Sequence, residues 1–242
     1  MAQAYCGPAP EPQQLLAAWN ADATAIALSA AVLVLFLRRS GPSRPLPLSL
    51  ALVLFLALFL SPLCALTVAL FSARVAHHVL LIAVVAPLLA LAFPLERIRA
   101  ALSLQLLAAL HALVLWFWHA PAVYEVAIAS AAPYWAMQLS LLGTAFLLWQ
   151  RVLAPGTSLG SALLALLATV VQMGMLGALL TFAREPHYVP HFTTTLPFGL
   201  TPLADQQLGG LIMWVPAALP YLLVAALLVA RRLERPSAPA LR

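Results

Sequence analysis

Long apolar stretches alternate with short polar connections along almost the entire chain. Each stretch has roughly 17 to 25 residues, the length that an α-helix needs to cross the hydrocarbon core of a bilayer. The stretches lie near residues 16–37, 46–66, 72–93, 101–120, 132–150, 159–182 and 206–230. The pattern predicts an all-α integral membrane protein, built as a bundle of about seven transmembrane helices.

The composition agrees with a membrane location and with one folded domain. Of the 242 residues, 64% are hydrophobic and only 8% are charged, and a water-soluble fold of this size could not bury so much apolar surface. We therefore expect a single transmembrane domain over residues 1–230, surrounded by the lipid bilayer. Residues 231–242 are basic and contain two prolines, which predicts a short cytoplasmic tail.

The arginines predict the orientation of the bundle. Ten of the twelve fall in connections on one side of the predicted membrane, and Arg74 and Arg184 fall on the other side. Because positive charge accumulates on the cytoplasmic side, we expect the N-terminus outside and the C-terminus inside. The connections 67–71, 121–131 and 183–205 are then also outside. The arginines are dispersed between apolar stretches, so no nucleic-acid partner is predicted.

With this orientation, histidines gather in the outer part of the bundle. His77 and His78 lie about two helical turns into the third stretch. His119 lies at the outer end of the fourth stretch, and His111 lies eight residues deeper, ~12 Å along a helix. A polar ring at such a depth is costly unless it has a partner, and a functional role is its usual explanation.

The side chains at this level suit copper. Imidazole and thioether groups are copper ligands, and thioethers favour Cu(I), whereas carboxylates suit harder ions. The sequence therefore predicts a Cu(I) site, and its candidate ligands are His78, His111, His119, Met213 and Met175. Three polar residues near the same level are candidates to orient the ligands or to dock a partner protein; they are Asp205, Gln206 and Glu125.

Two of these assignments stay open at the level of sequence. Met173 and Met175 are about 200° apart on a helix, so they cannot both face one site. His77 and His78 are adjacent, and their spacing does not decide which of them faces the site.

The connection at 183–205 and the two cysteines also allow more than one interpretation. His187 and His191 lie beside prolines in that connection, where a solvated surface position explains them most simply. Cys6 and Cys64 could form a disulfide, Cys64 could offer a thiolate to Cu(I), and a single cysteine in apolar surroundings is more often inert.

Five sequence blocks are distinctive. They are SPL at 61–63, FSARVAHHVLL at 71–81, LHALVLWFWHAPAVYEVAI at 110–128, MGMLGALLTFA at 173–183 and LADQQLGGLIMWVP at 203–216. Together they resemble the CtaG family of cytochrome c oxidase assembly factors, multispanning membrane proteins associated with caa-type oxidases and with the formation of copper centres. The resemblance covers most of the chain, and the last block is the most specific.

The resemblance implies a protein of the bacterial inner membrane that binds copper or helps to deliver it to a haem–copper oxidase from the outer side. Its implied partners are an oxidase subunit or another copper chaperone. The residues that match the family pattern are His78, His111, His119, Asp205, Gln206, Gln207 and Met213. Relatives often have histidine at the positions of Arg74 and Gln138, so neither position can be an essential ligand in this chain.

Two other functions remain as alternatives. Two histidines on facing helices could be the axial ligands of haem in an electron-transfer subunit, and a copper permease could use the same outer ligands. Few ligands continue inward beyond Gln105 and Gln172, which disfavours the permease. The sequence shows no nucleophile with a base, no phosphate-binding loop and no paired carboxylates, so no enzyme is predicted.

Overall fold

The structure is helical throughout the residues that it describes. The computed structural model describes residues 5–38, 44–95 and 103–234, and these ranges contain α-helices and short 3-10 helices but no strand. In chain order the helices are α1 (Ala23–Leu37), α2 (Pro45–Leu60), α3 (Pro62–Ala69), α4 (Phe71–Ala92), α5 (Leu104–His119), α6 (Pro121–Ala129), α7 (Ala131–Val152), α8 (Leu159–Thr181), α9 (Pro202–Trp214) and α10 (Ala218–Leu233).

The all-α prediction is confirmed, whereas the predicted number of seven spans is not. In the described part of the chain, α4, α7, α8 and the α9–α10 unit are each long and apolar enough to cross a bilayer. Two bent pairs, α2 with α3 and α5 with α6, raise the number of candidates to six. The first predicted span corresponds to α1, which is apolar but has only 15 residues.

Other sequence predictions are not decided by these helices. The orientation of the termini stays a prediction. Residues 235–242 of the predicted tail lie outside the described ranges, and α10 continues through the first three tail residues to Leu233.

The two bends lie at prolines that begin new helices. Ser61 separates α2 from α3, its hydroxyl accepts a hydrogen bond from the Leu63 amide, and Pro62 occupies the first turn of α3. The axes of α2 and α3 differ by 51°, and those of α5 and α6 by 78°. Proline is favoured in a first helical turn because its missing N–H has no partner there. The predicted connection 121–131 is therefore mostly helix α6 in the structure.

A π-helical turn lies in α4 directly after its histidines. Residues Leu81–Val85 form this turn, and the Ala86 amide donates to the Leu81 carbonyl five residues earlier. In the same five-residue pattern the Ile82 carbonyl would accept from the backbone N–H of residue 87, but this residue is Pro87 and has no N–H. The Trp149 indole N–H donates to that carbonyl instead, at 2.9 Å. This bond links α4 to α7.

Glycines allow α8 and α9 to pack in direct backbone contact. A Cβ atom added to Gly177 would lie 2.7 Å from the Gly210 carbonyl oxygen, and one added to Gly210 would lie 2.6 Å from the Gly177 carbonyl oxygen. Small residues let membrane helices approach in this way. On the other face of α9, a Cβ at Gly209 would meet the Phe71 ring of α4 at 2.7 Å, so α9 is fixed between α8 and α4.

The N-terminal segment before α1 is attached to the bundle by a disulfide and by Tyr5. Cys6 and Cys64 form a disulfide, which answers the question that the sequence left open. Tyr5 donates a hydrogen bond to Asp22, and its ring stacks on that of Tyr134 with 4.1 Å between centroids. These contacts hold the segment against α3 and α7.

Candidate metal site at the loop end of the bundle

The candidate site lies at one end of the bundle, which we call the loop end. It comprises the α3–α4 junction, the α5–α6 junction and the segment 182–201 between α8 and α9. These three parts are in contact: the Tyr124 hydroxyl of α6 lies 2.6 Å from His191 Nε2, and His191 Nδ1 lies 3.3 Å from the Ala69 carbonyl oxygen of α3.

His78 and His119 come together just inside the loop end. Their ring centroids are 5.9 Å apart with the ring planes at 82°, and the two residues are 4% and 5% exposed. An ion bound to one nitrogen of each ring, with metal–nitrogen bonds of ~2 Å as in zinc sites, would span a separation of this size. The structure thus places two of the predicted ligands, from different helices, at one position.

The hydrogen bonds of His119 define its tautomer. Its Nδ1 lies 2.7 Å from the Leu115 carbonyl oxygen. A carbonyl can only accept, so Nδ1 carries the proton and the electron pair of the neutral ring is on Nε2. A metal-binding histidine is commonly oriented by such a bond to a backbone carbonyl.

His78 has a polar neighbour on α7. The amide nitrogen of Gln138 lies 3.3 Å from His78 Nε2. Neither His78 Nδ1 nor the Gln138 amide oxygen has a hydrogen-bond partner among the described residues. Because the oxygen and nitrogen of an amide are assigned from their surroundings, this pair fits either orientation of the Gln138 amide.

His77 is as deeply buried as His78 but faces a different neighbour. Its ring packs edge-on against Phe59 of α2, with 4.9 Å between centroids. Neither of its ring nitrogens has a hydrogen-bond partner within the described ranges. His78, rather than His77, is the residue whose ring lies against His119.

His111 lies deeper in the bundle than this pair. It is fully buried, and its Nδ1 lies 2.9 Å from the Thr144 hydroxyl oxygen. That hydroxyl donates to the Ser140 carbonyl, so it accepts from Nδ1–H and leaves the electron pair of His111 on Nε2. Nε2 has no hydrogen-bond partner in the described part of the chain. Thr144 follows Gln138 by six residues, or ~9 Å along α7, so the structure does not bring His111 to the His78–His119 pair.

The two candidate methionines occupy contrasting positions. Met213 is 2% exposed and lies one turn after Gly209 on the face of α9 that packs against α4, so it is directed toward the interior. Met175 is 57% exposed on the outside of α8. Glu125 is partly buried on α6. Among the described residues no group of three or more His, Cys, Asp or Glu side chains could hold a metal ion.

Asp205 binds the N-terminus of α4. It is fully buried, and its carboxylate accepts hydrogen bonds from the Phe71 amide at 2.6 Å, from the Ser72 amide at 3.1 Å and from the Ser72 hydroxyl. A carboxylate is favoured at this end of a helix because the first amides have no partner within the helix. Asp205 therefore fixes the start of the helix that carries His78.

The neighbouring glutamines hold the segment that covers the site. The Gln206 side chain accepts from the His187 amide at 2.6 Å and donates to the Glu185 carbonyl at 3.3 Å. The Gln207 side chain donates to the Ala183 carbonyl at 3.0 Å. The sequence predicted that Asp205 and Gln206 orient ligands or dock a partner, and that role stays a prediction; their observed contacts attach the start of α4 and residues Glu185 and His187 to α9.

The structure buries His191, which the sequence favoured as a surface residue. It is 2% exposed, and desolvation by burial, followed by the charge of Arg74, lowers the pKa of His191 to about 3. In the same segment Tyr188 stacks on Phe71 with 3.9 Å between centroids and donates to the His119 carbonyl at 2.8 Å. The apolar and aromatic residues of this segment, interpreted as packing rather than as a solvated loop, would have indicated the burial.

Arg74 is a buried cation beside these residues. It is 2% exposed, and one guanidinium nitrogen donates to the Thr67 carbonyl at 3.0 Å. Its Cζ lies 6.0 Å and 5.6 Å from the ring centroids of Tyr124 and Tyr134. Such cation–π contacts contribute ~0.5–2 kcal/mol, whereas burial of an unpaired charge costs several kcal/mol. The aromatic contacts alone do not offset that cost.

The loop end brings together residues from the distinctive sequence blocks. No curated protein and no solved structure matches the chain significantly. The family model of the cytochrome c oxidase caa3 assembly factor, Caa3_CtaG, matches residues 30–235. This range includes α2 to α10 and every candidate ligand. The chain therefore belongs to the cytochrome c oxidase caa3 assembly factor family.

Proposed function

We propose that this assembly factor binds Cu(I) at the His78–His119 pair and passes it to a haem–copper oxidase subunit or to another copper chaperone. The metal is a cargo that is held for a short time, and the protein performs no catalytic step. The contact between the two imidazoles, 5.9 Å from centroid to centroid, is the observation that carries the proposal.

The surroundings of the pair favour a soft ion. His119 carries its electron pair on Nε2. His78 carries one on Nδ1, which has no hydrogen-bond partner within the described residues, when its Nε2–H donates to the Gln138 amide oxygen. Met213 is buried on the face of α9 that packs against α4. A site with two imidazoles and a thioether fits Cu(I) better than a carboxylate-binding ion.

The Cys6–Cys64 disulfide supports an outward orientation of the loop end. Disulfides persist in oxidising compartments, such as the bacterial periplasm, and are rare in the cytosol. The disulfide attaches the N-terminal segment at the loop end, on the side that the arginine distribution assigns to the outside of a bacterial inner membrane. Copper exchange would then take place at the outer face.

The direct test is anaerobic loading of the purified protein with Cu(I), followed by removal of unbound metal and quantification. We expect wild type to retain one more equivalent per chain than a His78→Ala, His119→Ala double variant. His187→Ala is the matched control, because its side chain is exposed, and it should bind as wild type does. Equal copper in wild type and the double variant would refute the proposal.

The same preparations separate copper binding from haem binding. Two histidines can be the axial ligands of haem, which absorbs strongly in the visible range, whereas a Cu(I) protein is colourless. We expect no Soret band in protein purified from the native host. A Soret band that is lost in the double variant would favour the electron-transfer alternative over the copper cargo.

A further inference from the structure

Two nitrogens of the buried Arg74 guanidinium have no partner in hydrogen-bond geometry within the part of the chain that the structure describes. Nη2 donates to the Thr67 carbonyl, while Nε and Nη1 have no hydrogen-bond partner among the described residues. Arginine keeps its charge under all physiological conditions. Unlike a buried histidine or lysine, it cannot avoid the cost of burial by losing a proton.

The buried carboxylates Asp205 and Asp22 are engaged elsewhere. The oxygens of Asp205 accept bonds from the N-terminus of α4, and those of Asp22 accept from Tyr5 and from the Thr24 amide. No carboxylate in the described ranges forms an ion pair with Arg74. Its other polar neighbours, Tyr124 and Tyr134, interact with the guanidinium through their hydroxyls. These hydroxyls are protonated at neutral pH, so they do not supply a negative charge.

A second unpartnered polar side chain lies close to Arg74. His77 follows it by three residues on α4, so the two side chains lie on neighbouring parts of one helix face. His77 is 1% exposed, and neither of its ring nitrogens has a partner in hydrogen-bond geometry within the described residues, although the Leu58 backbone is a polar neighbour of the ring. A neutral imidazole always carries one N–H. The guanidinium and this imidazole therefore provide hydrogen-bond donors and one positive charge.

We propose that Arg74 and His77 form a binding site for a small inorganic monoanion of the chloride type. One negative charge balances one guanidinium, whereas a divalent oxyanion would leave a net charge in apolar surroundings. A spherical halide needs no particular arrangement of donors, and apolar rings lie against both groups, Phe59 against His77 and Tyr134 against Arg74. The site does not depend on copper, because the charge of Arg74 is present with or without metal.

The test is equilibrium binding of radioactive chloride to purified, metal-free protein in a chloride-free gluconate buffer. We expect saturable binding of about one chloride per chain in wild type and its loss in Arg74→Gln. The matched control is Arg184→Gln, which removes the same charge from an exposed position at the loop end and should bind as wild type does. Copper loading does not enter this experiment, so its failure would not affect the proposed function.

Folding of the variants is checked by gel filtration and circular dichroism. If Arg74→Gln does not fold, two further variants test the site. Arg74→Lys keeps the positive charge and should retain chloride binding at lower affinity. His77→Phe keeps an aromatic ring without the N–H donor and should weaken chloride binding at least tenfold. Wild type that binds no chloride above the background of empty micelles would overturn the proposal. Equal binding by folded Arg74→Gln and wild type would overturn it as well.

Discussion

At the residue scale, hydrogen bonds decide which ring nitrogen of a buried histidine is free to bind a ligand. His111 and His119 both use Nδ1 as a donor, to Thr144 and to the Leu115 carbonyl, so both keep the electron pair on Nε2. The sequence identified these histidines from their depth in the bundle, but it could not assign their tautomers. Tautomers depend on partners such as Thr144, which is 33 residues away along the chain.

Asp205 offers a test of the support for the histidine helix. Asp205→Ala removes every acceptor for the Phe71 and Ser72 amides, and loss of such a cap typically costs ~0.5–2 kcal/mol. We expect a lower thermal unfolding temperature in detergent for Asp205→Ala, and an intermediate value for Asp205→Asn, which keeps one acceptor oxygen. Glu125→Gln is the control and should unfold as wild type does. Unchanged unfolding of Asp205→Ala would contradict the capping role.

His191 predicts a pH dependence of stability. Its pKa is about 3 in the folded protein and about 6.5 when it is unfolded, so the unfolded state binds more protons between these values. Stability therefore falls as the pH decreases from 7 toward 3. At pH 5 this residue alone accounts for about 2 kcal/mol of that loss.

The measurement is the unfolding temperature of wild type and His191→Gln at pH 7 and pH 5. The other buried histidines are common to both proteins. The difference between the two proteins in the decrease of unfolding temperature from pH 7 to pH 5 therefore reports on His191. We expect the smaller decrease in His191→Gln. An identical decrease in both proteins would show that His191 is already protonated or exposed in the folded state.

At the scale of elements, helix packing depends on close backbone contacts that hydropathy does not reveal. Apolar length was sufficient to predict the existence of the long helices α4, α7 and α8. It did not predict the bends at Pro62 and Pro121, since a continuous apolar stretch keeps its hydropathy when the helix axis turns. It also placed α6 in a connection, although proline in a first turn favours a new helix.

The α8–α9 crossing can be tested with one methyl group. Gly210→Ala would place a Cβ 2.6 Å from the Gly177 carbonyl oxygen and from the Thr181 amide, so the helices would have to separate. We expect a clear decrease in the unfolding temperature. Gly143→Ala, also within a helix, meets nothing within 4 Å and should leave the temperature unchanged or raise it, because alanine favours helix more than glycine does. Equal effects of the two substitutions would contradict the packing.

At the scale of the whole molecule, the arrangement of the chain gathers distant sequence blocks at one end. His78, Gln138, His191 and Asp205 are separated by up to 127 positions, and each contributes to the loop end. The sequence predicted the common level of most of these residues from the positive-inside rule. It could not predict that the segment 182–201 folds over them, since that depends on specific bonds from Gln206 and Gln207.

The orientation of the loop end can be measured by cysteine labelling in intact cells. In a Cys6→Ser, Cys64→Ser background, Arg184→Cys places an exposed thiol at the loop end, and Gly156→Cys places one in the exposed connection between α7 and α8 at the opposite end. We expect a membrane-impermeant maleimide to label Arg184→Cys in intact spheroplasts and Gly156→Cys only after lysis. The reverse labelling pattern would show that the loop end faces the cytoplasm and would contradict the predicted orientation.

The most direct test of the account is the copper content of the oxidase that this protein helps to assemble. In a host without the gene, the wild-type gene, the His78→Ala, His119→Ala variant and the His187→Ala control are expressed at matched levels, and the purified oxidase is analysed for its copper-to-haem ratio. We predict a normal ratio with wild type and with the control, and a ratio as low as that of the deletion strain with the double variant. A normal ratio with a folded double variant would contradict the proposed copper site.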